Sequence, residues 1–449
     1  MSEKLEAREA SGVFNAPILE EAAPFSATRR EQLAALVMYA LAWLYAAFFM
    51  NDGMAECLTM LTAFAAGFIA MTEWLHWRRP RGRESWVWLG CMLATLCGIL
   101  LDGGELGGAI GSLRVERSHV WAMEEKLLFL HGLAIWWALS RGGALGEGRT
   151  GHLLPLDAVY GVLVLPFTNL LLRARMALYA LTHIRSDRSR VKPEALAWSV
   201  LALLAAAGLF ALAFNLLTLA DSGFAGAVER ALGAFSLEID EGVWWRLLLS
   251  LPVGAYLYGM IAGAARESAD RIARRRNAAC QGLEKLRRVP NKMWAALMGG
   301  FALLYLLFFV VQGRYLFGAF TRTLPAGFIV SQYARQGFFE LCQVMAVNLA
   351  LLWLATRTAA GEARQDRPTL ILCLILLAQS LLFAAVALSK LALYIDCFGF
   401  TPLRLQSTWL VCVLAVGCVC AAISLLRAKK TFRAWAFFAA ITLSLLCLY

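Results

Sequence analysis

The stretch Pro368-Thr-Leu-Ile-Leu-Cys-Leu-Ile-Leu-Leu-Ala-Gln-Ser-Leu-Leu-Phe-Ala-Ala-Val-Ala-Leu-Ser-Lys390-Leu-Ala-Leu-Tyr394 decides the fold class. It carries no charge from Thr369 to Ser389. A run of about 20 apolar residues, coiled as helix, is long enough to cross a bilayer core. Comparable runs lie at about 32–50, 55–75, 85–101, 120–140, 195–220, 243–265, 293–312, 337–356, 409–426 and 434–449. The whole chain of 449 residues is 60% hydrophobic and only 16% charged. A soluble domain sits nearer a quarter charged. The expected fold is therefore an all-α membrane bundle of about eleven transmembrane helices.

Loop charge tests that count. With the N-terminus inside, beside Arg29 and Arg30, even-numbered spans end on the cytoplasmic side. The loops that follow them carry Arg78, Arg79, Arg81 and Arg83, then Arg173, Arg175, Arg185, Arg188, Arg190 and Lys192. Next comes Arg266–Lys292 with nine basic and three acidic residues, then Arg357, Arg364 and Arg367, and finally Arg427, Lys429, Lys430 and Arg433. Every strongly basic loop falls inside, as the positive-inside rule requires. The opposite loops are poorer in basic charge or acidic, such as 221–242. The expected orientation is N-in and C-out.

Residues 158–172 interrupt this order. They form a short apolar run containing Pro166, Thr168 and Asn169. Counted as a span, they would invert every later loop. They are read as a cytoplasmic interfacial or re-entrant helix, with a short tilted span as the alternative. The next segment, 173–185, is basic and amphipathic, suited to anionic headgroups. Residues 1–28 are polar and acidic, with no apolar signal core, and read as a flexible cytoplasmic tail. The remainder divides into an N-terminal membrane part, 29–194, and a C-terminal part, 195–449.

The net charge of +11 sits in short loops between spans. It points to topology and to anionic lipid at Arg173–Lys192 and Arg266–Lys292, not to nucleic acid. Nine of the eleven cysteines fall inside apolar runs, where Cys packs as a small hydrophobe. Gly146-Glu-Gly-Arg-Thr-Gly151 matches a dinucleotide-binding pattern, but it lacks the strand that motif needs and reads as a flexible glycine loop. Glu73-Trp-Leu-His76 is a single ExxH, short of a di-iron set, and reads as part of a local ion pair. Glu124 and His131 lie two turns apart, too few ligands to name a metal. Gly259-Met-Ile-Ala-Gly263 is a small-residue pair suited to close helix packing. No cofactor is implied.

Polar side chains concentrate at one end of the C-terminal part. On the eighth span, Tyr333, Gln336, Glu340 and Gln343 share a helical face; on the ninth, Gln379, Phe383, Lys390 and Tyr394 do. Glu340 and Lys390 lie at similar depth, about one turn below the outer surface. Two readings stand: a structural clasp between neighbouring helices, or a cation-rich pocket opening outward. In the second, Arg314, Arg322, Arg335 and Arg404 would rim a pocket for an anionic headgroup or lipid-linked phosphate.

These segments resemble a bacterial group of multi-spanning membrane proteins, the domains of unknown function 4153 and 4173. The resemblance rests on Val330-Ser-Gln-Tyr333-Ala-Arg335-Gln-Gly337-Phe-Phe-Glu340-Leu341, on Leu393-Tyr394-Ile-Asp-Cys-Phe398-Gly399-Phe400-Thr401-Pro-Leu-Arg404, and on Gln312-Gly-Arg314-Tyr315-Leu-Phe-Gly318. It covers about residues 290–430 well. Phe398 and Phe400 depart from the family's usual Tyr and Leu, the first losing a hydroxyl. The resemblance implies an integral protein of the bacterial envelope and brings no activity. The candidate ligand-binding residues are accordingly Arg314, Tyr333, Arg335, Glu340, Gln343, Lys390, Tyr394 and Arg404. Transport or handling of an anionic solute or lipid is the leading expectation. A sensor or assembly partner using its basic loops is the alternative. An enzyme acting on a lipid-linked substrate ranks third, since no nucleophile, metal set or phosphate loop stands out.

Overall fold

The computed structural model describes residues 25–51, 53–103, 121–184, 241–318, 338–361 and 364–448, with Leu209 and Phe320. The helices among them are α1 (Arg29–Met50), α2 (Met54–Leu75), α3 (Arg83–Gly103), α4 (Met123–Gly142), α5 (Leu154–Thr168) and α6 (Leu172–Ile184). There follow α7 (Glu241–Arg266), α8 (Ala269–Lys285), α9 (Asn291–Phe317), α10 (Phe338–Thr358), α11 (Arg367–Phe398), α12 (Pro402–Arg427) and α13 (Phe432–Leu446). Local signals set several ends. Thr28 caps α1: its Oγ1 accepts from the Glu31 N–H, and the Glu31 carboxylate accepts from the Thr28 N–H at 2.9 Å. Gly399, at φ 77°, ends α11 in a conformation that a side chain resists, and Pro402 then opens α12.

Among the described residues, eight helices are long and apolar enough to cross a membrane: α1, α2, α3, α7, α9, α10, α11 and α12. The chain is a multi-pass membrane protein. The other expected spans separate by cause. Helix α4 carries Glu124, Glu125, Lys126 and Arg141 within 20 residues. Helix α13 has 15 residues. The expected span at 195–220 lies outside the described residues, as do most of the 1–28 tail and the loop at 221–242.

Two packed groups share the bundle. In one, α1 lies against α2 and α7, and α3 against α4, around a core that includes Met38, Leu61, Trp88, Ile99, Trp137 and Tyr258. In the other, α11 is central, touching α9, α10 and α12. Helix α13 packs on both α12 and α3 and joins the groups.

Ion pairs and hydrogen bonds gather the helix ends at two poles. At the first, Arg266 at the end of α7 meets Glu31 at the start of α1, 2.6 Å. Arg79, after α2, donates to the Ala265 and Glu267 carbonyls, both 3.0 Å. Glu84, at the start of α3, holds Arg433 of α13 at 2.9 Å. Val289, before α9, pairs its backbone with Thr358 and Ala360, after α10. This pole carries the basic loops. At the opposite pole, the end of α3, the start of α4 and the end of α13 meet through Asp102, Lys126 and Cys447. Trp121 and Trp409 touch edge to face there, at 5.4 Å.

The segment that broke the alternation is a bent helical band. Helices α5 and α6 are inclined by 41°. A π-helical turn at Tyr160–Val164 precedes Pro166. The wider turn and the missing proline N–H free carbonyls, one of which, Val162, accepts from the Tyr256 hydroxyl at 2.9 Å. The bend rests on Gly259 and Gly263 of α7. A Cβ at Gly259 would come within 2.7 Å of the Pro166 carbonyl, and one at Gly263 within 2.8 Å of Asn169 Nδ2. The band's two ends both lie at the basic pole. Tyr160 donates to Glu267 at 2.6 Å, and Tyr179 meets Phe25, on which Arg266 rests.

Candidate functional site

The described parts of the family-like segments include residues 338–341 at the start of α10 and 393–404 across the α11–α12 turn, at the non-basic end of the second helix group. Lys390 is wholly buried, at 0% exposure, on the face of α11 that also carries Phe383, Val386 and Ala387. The surrounding core holds Leu316 of α9 and Phe338, Leu341 and Cys342 of α10. Burying an ammonium in such a place costs several kcal/mol or more unless charge or hydrogen bonds offset it. The charge of Glu340 acts on Lys390, although the Glu340 side chain itself, in the first turn of α10, is exposed. Gln343 is exposed on the next turn.

Tyr394 and Arg404 are brought together by the Gly399 turn. The Arg404 guanidinium lies 4.0 Å above the Tyr394 ring and donates to the Gly399 carbonyl, and the Phe398 ring meets the Tyr394 ring edge to face at 5.2 Å. Stacking of this kind contributes about 0.5–1 kcal/mol at an exposed site. It also holds a guanidinium beside the buried lysine's helix. Arg314 belongs to α9, but its side chain lies outside the described residues, as do Arg322, Tyr333 and Arg335.

A second polar feature was not singled out in the sequence. Midway along the same group, Tyr305 donates to Asn348 Oδ1 at 2.8 Å, Asn348 Nδ2 donates to Ser380 Oγ at 2.9 Å, and Ser380 donates to the Leu376 carbonyl. The three side chains link α9, α10 and α11, and Asn348 and Ser380 are fully buried. Interhelical bonds of this type are worth about 0.6 kcal/mol each. The signal was available: Asn348 is a lone amide inside an apolar run.

The basic pole holds a denser network. Arg141, at the end of α4 and 3% exposed, donates from Nε to Glu73 Oε1 at 3.0 Å, from Nη1 to the Arg79 carbonyl at 3.1 Å, and from Nη2 to the His76 carbonyl at 2.9 Å. Glu73 also takes Arg81 at 2.9 Å. The ExxH glutamate is thus an ion-pair acceptor. The histidine is neutral: Nδ1–H donates to the Thr72 carbonyl at 2.7 Å, and Nε2 faces Gly142. Burial pushes His76 down to about 4 from 6.5, and repulsion by Arg141 and Arg79 adds to it against the Thr72 bond. His131 is likewise hydrogen-bonded inside the bundle, Nδ1 lying 2.7 Å from the Leu127 carbonyl and Nε2 2.8 Å from the Tyr45 hydroxyl.

The His76 shift has a stability consequence. The unfolded chain takes up a proton near 6.5, whereas the folded protein refuses it until about 4. Its contribution is therefore complete above about 6.5 and drains as pH falls toward 4, by about 3 kcal/mol at 1.36 kcal/mol per unit. The melting temperature in detergent should drop across that window, and His76→Gln should flatten the drop. Parallel curves for the two proteins would refute this.

A family model described as "Domain of unknown function (DUF4153)" matches residues 108–449. No curated protein and no solved structure matches the chain.

Proposed function

The chain belongs to the DUF4153 family, and from that premise we propose that it binds and moves an anionic solute or lipid headgroup at the pole where Lys390 is buried. The observation that carries this reading is a fully buried lysine in an apolar helix core, beside a carboxylate that acts on it and a stacked arginine. Arg314 of α9, with Tyr333 and Arg335, which lie between α9 and α10 in the chain, would complete the ligand contacts with Gln343 and Arg404. An anion seated among these cations would offset the desolvation of each.

The same reading sets eleven crossings, with N-in and C-out, in the inner membrane of a bacterium. Two features support it. The starts of α1, α3 and α13 and the ends of α2, α4 and α7 meet at the basic pole, the side the positive-inside rule assigns to the cytoplasm. The α5–α6 band returns to that pole at both ends, so it dips into the bilayer and leaves on the side it entered. Its backbone at that depth is covered by α7, as irregular structure in a membrane must be.

The test is native mass spectrometry of the purified protein beside Lys390→Met and Glu340→Gln. Methionine fills the lysine volume without a charge, so the fold should survive. Retention of a co-purifying anion should fall at least about tenfold in Lys390→Met, a loss of about 1.4 kcal/mol. Equal retention in both variants would refute the reading.

The alternative, a sensor or assembly partner, draws on α8. Nothing in that helix is buried, and Arg271, Arg274 and Arg276 project from it. Such a helix suits an acidic partner or anionic lipid. Retained function after its basic residues are neutralised would count against it.

A further inference from the structure

The basic pole contains a cleft that the ion-pair network does not use. It encloses about 190 Å³ between the glycine loop at 147–152 and the start of α13, and is lined by Glu147, Arg149, Thr150, His152, Lys430 and Arg433 among others. The loop is pinned from three sides. The Gly146 N–H donates to Asp157 at 2.9 Å, the Thr150 N–H to Glu84 at 2.6 Å, and Trp88 Nε1 to Thr150 Oγ1 at 3.2 Å. The cleft is thus held open by contacts outside itself, which lowers the ordering cost of any ligand.

Its charges do not cancel. Glu84 takes Arg433 at 2.9 Å, and Glu147 stands 3.9 Å from His152 Nε2. Among the described residues, Arg149 and Lys430 have no carboxylate partner, and both are exposed on the cleft wall. The cations crowd one another: burial, with Arg357, Lys430 and Arg149, holds His152 below its usual value against the pull of Glu147. Glu147 folds across Gly151, a position where a Cβ would collide with its carboxylate. The loop therefore keeps its own anion beside the free cations.

We propose that this cleft is a binding site for a phosphate monoester, gripped by Arg149 and Lys430 with His152 and Arg433 behind them. Two unpaired cations match a group that carries nearly two negative charges at neutral pH. A guanidinium adds bidentate geometry to phosphate oxygens, and an ammonium adds a point charge. A carboxylate would neutralise only one of the two. Phe432 opens a helix that packs into the bundle, so the cleft sits at the bilayer boundary. Two sources share the chemistry: a soluble phosphomonoester, or a lipid whose headgroup is one.

The full-length protein in phosphate-free neutral detergent distinguishes them. Glycerol 3-phosphate is titrated by calorimetry, and phosphatidic acid retention is read by native mass spectrometry against phosphatidylcholine. We expect the wild type to bind at least one probe. The exposed double variant Arg149→Gln/Lys430→Gln should bind it at least tenfold more weakly, and Glu147→Gln more tightly. Binding of glycerol 3-phosphate alone assigns a soluble ligand; selective retention of phosphatidic acid assigns a lipid headgroup. No binding of either probe by the wild type, or equal binding by the double variant, overturns the proposal.

Discussion

Replacing Arg141 by glutamine is expected to destabilise the protein by about 3–5 kcal/mol, the usual cost of removing one partner from a buried charge pair. The reason is the number of groups one guanidinium serves. It pairs with Glu73 and satisfies the Arg79 and His76 carbonyls in a single plane, and those carbonyls lie where α2 turns toward α3. Glutamine can reach one of these partners. Lysine keeps the charge but has a single nitrogen, so Arg141→Lys should recover less than half of the loss. Unfolding in denaturant would measure both. A double-mutant cycle with Glu73→Gln should give a coupling of at least about 1 kcal/mol, since the side chains touch. A loss below about 1 kcal/mol for Arg141→Gln would show that water at the pole replaces the network.

The second large effect is at the other pole. Lys126 is fully buried, lies 2.5 Å from Asp102, and donates to the Cys447 carbonyl at 2.9 Å. Asp102 is only 10% exposed at its side chain. Lys126→Met should cost about 3–5 kcal/mol, because it strips a buried carboxylate of this cation. Lys126→Met with Asp102→Asn should recover much of that, because two neutral groups can be buried more cheaply than one charge. The variant should also loosen the end of α13, whose Cys447 carbonyl loses its donor. Hydrogen exchange at residues 440–448 would rise in Lys126→Met. If the single and double variants are equally unstable, the pair is not the source of the effect.

Both networks join residues that are far apart in the chain, which explains how little of them could be read beforehand. Glu73 and His76 were visible as a motif, yet the partner that defines their role stands in another helix. The glycine loop was recognisable as a loop, but the cleft beside it forms only when α13 arrives. Helix phase puts Lys390 and Glu340 at similar depth, yet Lys390 is wholly buried and Glu340 exposed. Their unequal burial depends on how α9 and α10 cover α11, which periodicity does not describe. Asn348 is one amide in an apolar run and makes no pattern; its partners come from two other helices.

Apolar run length and loop charge determined, without tertiary information, that the chain is a helical multi-pass membrane protein, because the bilayer imposes one length and one backbone solution on every crossing. The family-like segments were legible for the same reason that motifs are: they are contiguous. What the tertiary structure alone decided is which charges meet. The carboxylate partners of Arg141, Lys126 and Arg266 are chosen by helix packing, and the strength of each pair depends on the burial that packing creates. The bent band at 154–184 belongs to the same class. Its sequence carries Pro166 and a short apolar run, but the course it takes depends on Gly259 and Gly263, whose missing side chains leave room for it on α7.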